Sequence, residues 1–356
     1  MTPAWWRDRR VFITGHTGFK GAWLCLLLKR LGAKIRGYSL HPPTDPSLFA
    51  LARVGDFVET HERDVRNLEQ LSEAVRQSGS EIVIHMAAQS LVRESYQNPI
   101  ATYSTNLMGT VNLLEAVRRA GEGVRAVVIV TSDKCYENLE SGSGYVETAQ
   151  LGGHDPYSNS KACAEMVTEA YRRSFFDGST TAIATARAGN VIGGGDWAKD
   201  RLIPDLVTAF AAGKRAIVRH PESVRPWQFV LDPLNGYLSL VEKLREVGRD
   251  FAEAWNFGPV EDDMRPVRWI ADEMAGQWGD GVGWDPPAPG RHPHETACLK
   301  LDATKAISRL NWRPRTNLAK GVKWTAQWYA AWHEKADMRE ISERQIDAYL
   351  DLAGIE

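Results

Sequence analysis

Only four cysteines, Cys25, Cys135, Cys163 and Cys298, occur in 356 residues, and they form no C-x-x-C and no ligand-spaced pair. That excludes a disulfide framework and a cysteine-built zinc site, and it points to a reducing compartment. An excess of one charge is lacking as well. The 43 Lys+Arg and 45 Asp+Glu leave a formal net charge of −2, which fits neither a nucleic-acid binder nor a disordered chain. Long apolar runs are missing: the greasiest stretch, Ala22 to Leu28, stops at Lys29, too short to span a bilayer. No apolar segment of the kind found in an export signal follows the charged, tryptophan-bearing stretch Met1 to Arg10. A soluble, unexported, cytoplasmic protein is expected, with no membrane and no nucleic-acid partner. Internal repeats and low-complexity tracts are also absent.

The composition that remains is ordinary for a globular protein, at 43% hydrophobic and 25% charged residues. At roughly 150 residues per domain the length predicts two domains, or one large domain with an appendage. Short β-branched runs alternate with segments of helical period, the pattern of βαβ units around a parallel sheet. Strands are expected at Val11–Thr14, Lys34–Leu40, Phe57–His61, Glu81–His85, Val124–Thr131 and Thr180–Ala186. Helices are expected at Lys20–Leu31, Leu68–Arg76, Leu107–Ala120 and Asn159–Arg173. The fold class is therefore α/β, a doubly wound (Rossmann), mainly parallel sheet over residues 1–187. Beyond Arg187, Gly193-Gly194-Gly195-Asp196, prolines and tryptophans break the alternation. Residues 188–356 are expected to form mainly a smaller C-terminal substrate-binding lobe, with segments around 225–258 returning to the first domain. Trp324, Trp328 and Trp332 recur at i, i+4, i+8 on one helical face, for which packing is favoured over a sugar-stacking platform.

Strand Val11–Thr14 runs straight into Gly15-His16-Thr17-Gly18-Phe19-Lys20-Gly21 and then a helix, the context a dinucleotide fingerprint needs. Gly15 suits the tight turn, Gly18 lets backbone approach a pyrophosphate, and Gly21 lets helix and strand pack closely, with the helix N-terminus facing the anion. No acidic residue follows about 20 positions on. The second strand ends instead in Arg36-Gly37-Tyr38-Ser39, a neutral hydroxyl and a cation, which leaves NAD and NADP both open at this position. Asp64 is equally a candidate for the adenine and for the cap of the next helix.

Strand Val127–Val130 delivers Thr131-Ser132-Asp133-Lys134 to the carboxyl edge of the sheet, where ligands of such folds bind. Tyr157 and Lys161 follow at i, i+4, so the Lys161 ammonium is expected to pull the Tyr157 phenol from ~10 toward neutrality and make it a base, with Ser132 bridging the same oxygen. Together with the fingerprint, this Y-x-x-x-K resembles the extended short-chain dehydrogenase/reductase family. The resemblance runs from Val11 to about Trp328 and includes His85-Met86-Ala87-Ala88-Gln89, Asn106 in Thr105-Asn106-Leu107-Met108-Gly109-Thr110, and Arg187-Ala188-Gly189-Asn190-Val191. It implies NAD held by Gly15, Thr17, Gly18, Phe19, Lys20, Gly21, Ser39, Asp64, Ala87, Ala88, Gln89, Asn106, Thr131, Tyr157 and Lys161, and a nucleotide-sugar between the lobes.

Thr131-Ser132-Asp133-Lys134-Cys135-Tyr136 and Arg225-Pro226-Trp227-Gln228-Phe229-Val230 are similar to the CDP-glucose branch of the hexose 4,6-dehydratases, although many of those carry Glu where this chain has Lys134. That resemblance implies Ser132, Asp133, Lys134, Tyr157 and Lys161 as the catalytic set. Asp133 would be the acid at the C6 hydroxyl, and Lys134 either the C5 base or an enolate stabiliser. As a base, Lys134 would need its pKa depressed, which burial near Lys161 would provide. Substrate contacts implied are Arg93, Asn190, Arg201 and Ile203 of Arg201-Leu202-Ile203-Pro204, Arg225 and Arg291. For His292-Pro293-His294-Glu295 a substrate loop is favoured over a metal site, and no metal is expected. An NAD-dependent 4-epimerase, a dehydratase of another nucleotide-hexose and a cofactor-sensing regulator remain the alternatives. Family members also commonly pair through two helices, here about Asn98–Ala120 and Tyr157–Phe175, so a homodimer or dimer of dimers is expected; Leu107, Val111, Leu114 and Val117 suit that interface and the helix's own sheet equally.

Overall fold

In the computed structural model, which describes residues 1–139, 142–279, 281–288 and 298–352, the β-branched runs form a seven-stranded, all-parallel sheet. Its strands are β1 (Arg10–Thr14), β2 (Lys34–Ser39), β3 (Glu59–Glu62), β4 (Ile82–His85), β5 (Ala126–Val130), β6 (Ala182–Ala188) and β7 (Ala254–Phe257). They lie in the order β7-β6-β5-β4-β1-β2-β3, so the winding reverses between β1 and β4. The inner strands are apolar at consecutive positions because both faces are covered. Ile82, Ile84 and Val128 point into one core and Val83, Val127 and Ile129 into the other. Edge strand β3, Glu-Thr-His-Glu, is polar where water meets it.

Helices α1 (Phe19–Arg30), α2 (Leu68–Ser78), α3 (Gly109–Ala120) and α4 (Pro156–Phe175) make the crossovers. Helix α1 joins the first core, whereas Leu71 and Val75 of α2 and Leu113, Leu114 and Val117 of α3 fill the second. Element ends shift from the expected ones by up to three residues, and two of the shifts bear on the site. A π-helical turn, Ser104–Met108, occupies the expected start of α3. Helix α4 starts at Pro156 because Asp155 caps it, accepting from the Ser158 amide (3.0 Å) and hydroxyl (2.6 Å), which places Tyr157 in the first turn.

Beyond β6 come α5 (Leu202–Ala211), α6 (Leu231–Glu246), α7 (Val267–Trp278), α8 (Leu318–His333) and α9 (Met338–Leu350). Strand β7 returns to the sheet beside β6, and α6 packs on β5 and β6. The tryptophan stripe of α8 is core. Trp328 is fully buried, Trp324 stands edge-on to Phe229 at 5.4 Å and Trp332 tilts against Trp197 at 4.4 Å. Among the described residues no helix is long and apolar enough to cross a membrane.

Candidate active site

A cavity of about 1940 Å³ opens along the carboxyl edge of the sheet at the β1/β4 reversal and extends beneath the C-terminal lobe. Gly15, at φ +75°, lies so close to the next loop that a Cβ would sit 2.6 Å from the Ala87 amide nitrogen. At Gly21 a Cβ would meet the Gly15 carbonyl at 2.2 Å, so helix and turn touch through bare backbone. Gly18 is the N-cap of α1 and brings no side chain to the first-turn amides; a Cβ there would meet only the Gly15 carbonyl, at 3.5 Å. The open amides and the space over Gly18 form an anion cradle, which fits a dinucleotide pyrophosphate.

Thr17, Phe19, Lys20, Ser39, Asp64, Ala87, Ala88, Gln89 and Thr131 also line this cavity. The Thr17 and Ser39 hydroxyls bond each other at 2.8 Å, and Thr17 donates to the Leu40 carbonyl. Asp64 does not cap α2, a task Asn67 performs by accepting from the Gln70 amide. Its carboxylate instead receives the Arg66 amide (2.9 Å) and guanidinium (2.8 Å), which hold it below the usual carboxylate range. Arg36, the cation that would read a 2′-phosphate, lies off the cavity wall, paired with Glu59 at 2.6 Å. Asn106 is off the wall too. It bonds the Gln89 amide (2.8 Å) and carbonyl (2.9 Å) and the Ser160 hydroxyl (2.9 Å), and so shapes the loop behind the wall.

Ser132, Asp133, Lys134, Tyr157 and Lys161 converge on the same cavity. Asp133 is buried; one oxygen accepts from the Ser132 hydroxyl at 2.9 Å and the other has no partner. Burial raises its pKa against the opposing pull of Lys134, so the carboxyl tends to keep its proton. The Tyr157 phenol does not move toward neutrality in this structure. Burial pushes it up to about 12, against the opposing pull of Ser132. The Lys161 amine donates to the Val130 carbonyl at 3.2 Å and is depressed by burial to about 8. Lys20, bonded to the Tyr237 hydroxyl at 2.9 Å, is brought down to about 7 by burial and by the neighbouring Lys161 and Arg201. Lys134 is half-buried on the wall.

On the substrate side Arg93, Asn190, Arg201, Ile203 and Arg225 line the cavity; Arg291 and the 292–295 histidine run lie outside the described residues. Arg201 is tied to Asp196 (2.8 Å) and across the cleft to the Ser90 hydroxyl (2.8 Å). Arg93 meets Asp200 at 3.2 Å, and Asp200 also holds Arg219 at 2.6 Å. Sequence reading missed Asp196, Asp200 and Arg219, which lie in irregular segments with no spacing signal. It also missed Glu165, although Glu165 stands at i+4 from Lys161.

The model of the NAD dependent epimerase/dehydratase family matches residues 11–258, most of the chain. The chain belongs to that family. A CDP-glucose 4,6-dehydratase of Salmonella typhimurium is 49% identical over 350 residues, 97% of each chain. A dTDP-glucose 4,6-dehydratase of Streptomyces antibioticus is 31% identical over 72% of this chain and 73% of its own. Among solved structures, the NAD complex of a Bacillus anthracis dTDP-glucose 4,6-dehydratase superimposes with a TM-score of 0.76 at 22% identity, over 93% of this chain and 100% of that one. A UDP-glucose-4-epimerase from Stenotrophomonas maltophila with bound NAD and formylated UDP-arabinopyranose reaches 0.81 at 23% identity, over 92% and 100%. The family is NAD dependent, and the open amides over Gly18 and the engaged Arg36 are compatible with that cofactor.

Proposed function

We propose that the protein is a CDP-glucose 4,6-dehydratase, converting CDP-D-glucose to CDP-4-keto-6-deoxy-D-glucose and water. The observation that carries the dehydratase reading is Asp133, a buried carboxyl that tends to hold its proton and presents an unpartnered oxygen at the cavity. A 4-epimerase moves only the C4 hydride and hydroxyl proton; a dehydratase must also protonate a departing C6 hydroxyl. The 49% identical relative, matched over nearly its whole length, supports the cytidine nucleotide.

NAD, which the glycine turn at Gly15, Gly18 and Gly21 would hold, would supply the hydride acceptor for C4 and the hydride donor for C6. Tyr157 takes the C4 hydroxyl proton in its ionised form, which burial disfavours in the free protein and which the charge of Lys161 would favour once substrate is in place, helped by Ser132. Oxidation at C4 acidifies the C5 proton, which Lys134 on the wall accepts or whose enolate it steadies. Asp133 delivers its proton to the C6 hydroxyl, which leaves as water, and when hydride reaches C6 a proton returns to C5, completing the 4-keto-6-deoxy sugar. Arg93, Asn190, Arg201, Ile203, Arg225 and Arg291 form the substrate side, where cations suit a diphosphate. In this reading residues 1–187 bind the dinucleotide and 188–356 mainly the sugar nucleotide, in a cytoplasmic homodimer or dimer of dimers.

Mass spectrometry after incubation with NAD and nucleotide-glucoses deuterated at C4 tests all of this. Loss of one water from CDP-glucose, with deuterium recovered at C6, is the expected result. An isobaric product would make the protein an epimerase, and loss of water only from another nucleotide-glucose would overturn the cytidine assignment.

A further inference from the structure

Glu165 is a buried carboxylate one helical turn beyond Lys161, and no step above uses it. Residues at i and i+4 share a helix face, so both side chains reach the end of β5 together. They grip consecutive residues there: Lys161 Nζ donates to the Val130 carbonyl at 3.2 Å, and Glu165 Oε1 accepts from the Thr131 hydroxyl. The next two residues are Ser132 and Asp133. The other carboxylate oxygen accepts from the Thr185 hydroxyl (2.6 Å) and from Arg187 Nη2 (2.8 Å), both on β6. Arg187 is itself held by the Tyr136 hydroxyl (2.7 Å) and the Glu147 carbonyl (2.9 Å), and its guanidinium lies over the Tyr136 ring.

The charges around Lys161 come from several elements. His85 at the end of β4, Lys20 of α1, Asp133 and Cys135 after β5, Tyr157 of its own helix and Arg187 of β6 are all buried or line the cavity. Lys20 and Lys161 repel each other, His85, Cys135 and Tyr157 are held neutral at neutral pH, and burial raises the pKa of the Asp133 carboxyl. Glu165 is the carboxylate that shares its helix face, and its attraction favours the ammonium. An unpaired buried ammonium would shed its proton, so this carboxylate has a task beyond joining α4 to the sheet.

We infer that Glu165 is a positioning residue for the reaction: it fixes Thr131, and through it the Ser132-Asp133 turn, and supplies the counter-charge that keeps Lys161 protonated beside Tyr157. The inference rests on the proposed role of Lys161, so its test includes a readout that needs no turnover. Trace acetylation of the purified enzyme with acetic anhydride across pH 6–10, quantified at the Lys161 peptide, reports the midpoint at which the amine deprotonates. In Glu165→Gln that midpoint is expected to fall by about one unit, roughly a tenfold rise in Lys161 reactivity below the midpoint. Glu165→Asp, which keeps the charge but retracts it, should fall by less. Thr185→Val, which removes one bond and leaves the charge, should not lower it.

With CDP-glucose as substrate, the alkaline limb of the kcat–pH profile should move with the labelling midpoint. An unmoved Lys161 midpoint in folded Glu165→Gln would overturn the inference, as would an equal fall in Thr185→Val. If Glu165→Gln does not fold, a Glu165→Asp midpoint equal to wild type overturns it instead. Absence of wild-type turnover, with the midpoints shifted as described, would strike the proposed function and leave the charge pairing standing.

Discussion

Two chemically similar groups separate at the active site because their surroundings differ. Asp133 loses water on every side but the cavity and tends to keep its proton, whereas Asp64, held by the Arg66 guanidinium and amide, sits below the usual carboxylate range. The first suits an acid and the second an acceptor. Asp133→Asn preserves shape and removes the proton to be given, so water loss should slow by about 10²–10⁴-fold. NAD binding by calorimetry should be unchanged; a variant that dehydrates CDP-glucose at the wild-type rate would remove Asp133 from the proposed mechanism. Local spacing made Ser132, Asp133, Tyr157 and Lys161 readable in the chain. The upward shift of Tyr157 was not readable, because it comes from burial that only the folded cavity creates.

Within the first β-strand–turn–helix unit, His16 shows what the glycine pattern conceals. Its ring lies over β2, where a Cβ on Gly37 would stand 2.4 Å from it, and edge-on to Phe49, with Nε2 bonded to Thr60 at 3.1 Å. Gly37, expected only as part of the second strand, serves as a seat for an imidazole. Burial lowers His16 to about 4, and His85, bonded to Thr14 and Thr110, to about 3. Because these folded-state values lie below the unfolded 6.5, the unfolded chain takes up protons first as pH falls. Their contribution is complete above pH 6.5 and is lost as pH drops toward 4 and 3, about 3 kcal/mol or more from each. Asp232, raised by burial to about 6, acts in the opposite sense. Its folded value lies above the unfolded one, so it adds back about 3 kcal/mol as pH falls from 6 toward 4. The two histidines outweigh it. Between pH 6.5 and 4 the urea midpoint of the wild type should fall further than that of His16→Asn, and equal falls would contradict the buried, neutral imidazole.

At the scale of the molecule, the walls of the cavity are already bridged, Arg201 to Ser90 and Arg93 to Asp200. On the opposite flank α3, the turns before it and α4 present Ile100, Met108, Met166 and Phe175 to solvent. Leu114 and Val117, by contrast, are committed to the sheet. In the proposed homodimer these exposed apolar side chains would form the contact, since helix pairs suit a twofold interface. Light scattering should give a dimer or tetramer for the wild type, and Ile100→Asp with Met166→Asp should yield monomers. A monomeric wild type at micromolar concentration would refute the homodimer.

Residue order alone made the doubly wound sheet, the glycine fingerprint and the Tyr157–Lys161 pair legible, because each rests on spacing within one or two elements. Period 2, period 3.6 and the three glycines of the fingerprint need no distant partner to be recognised. Folding decided which charges are engaged. Arg36 was taken up by Glu59, Asn106 turned to Gln89, and Glu165 joined to Thr131, Thr185 and Arg187. It also placed the tryptophans of α8 in the core rather than at a sugar. These outcomes depend on burial and on strands far apart in the chain, and a side chain's proton affinity follows the solvent and charges around it.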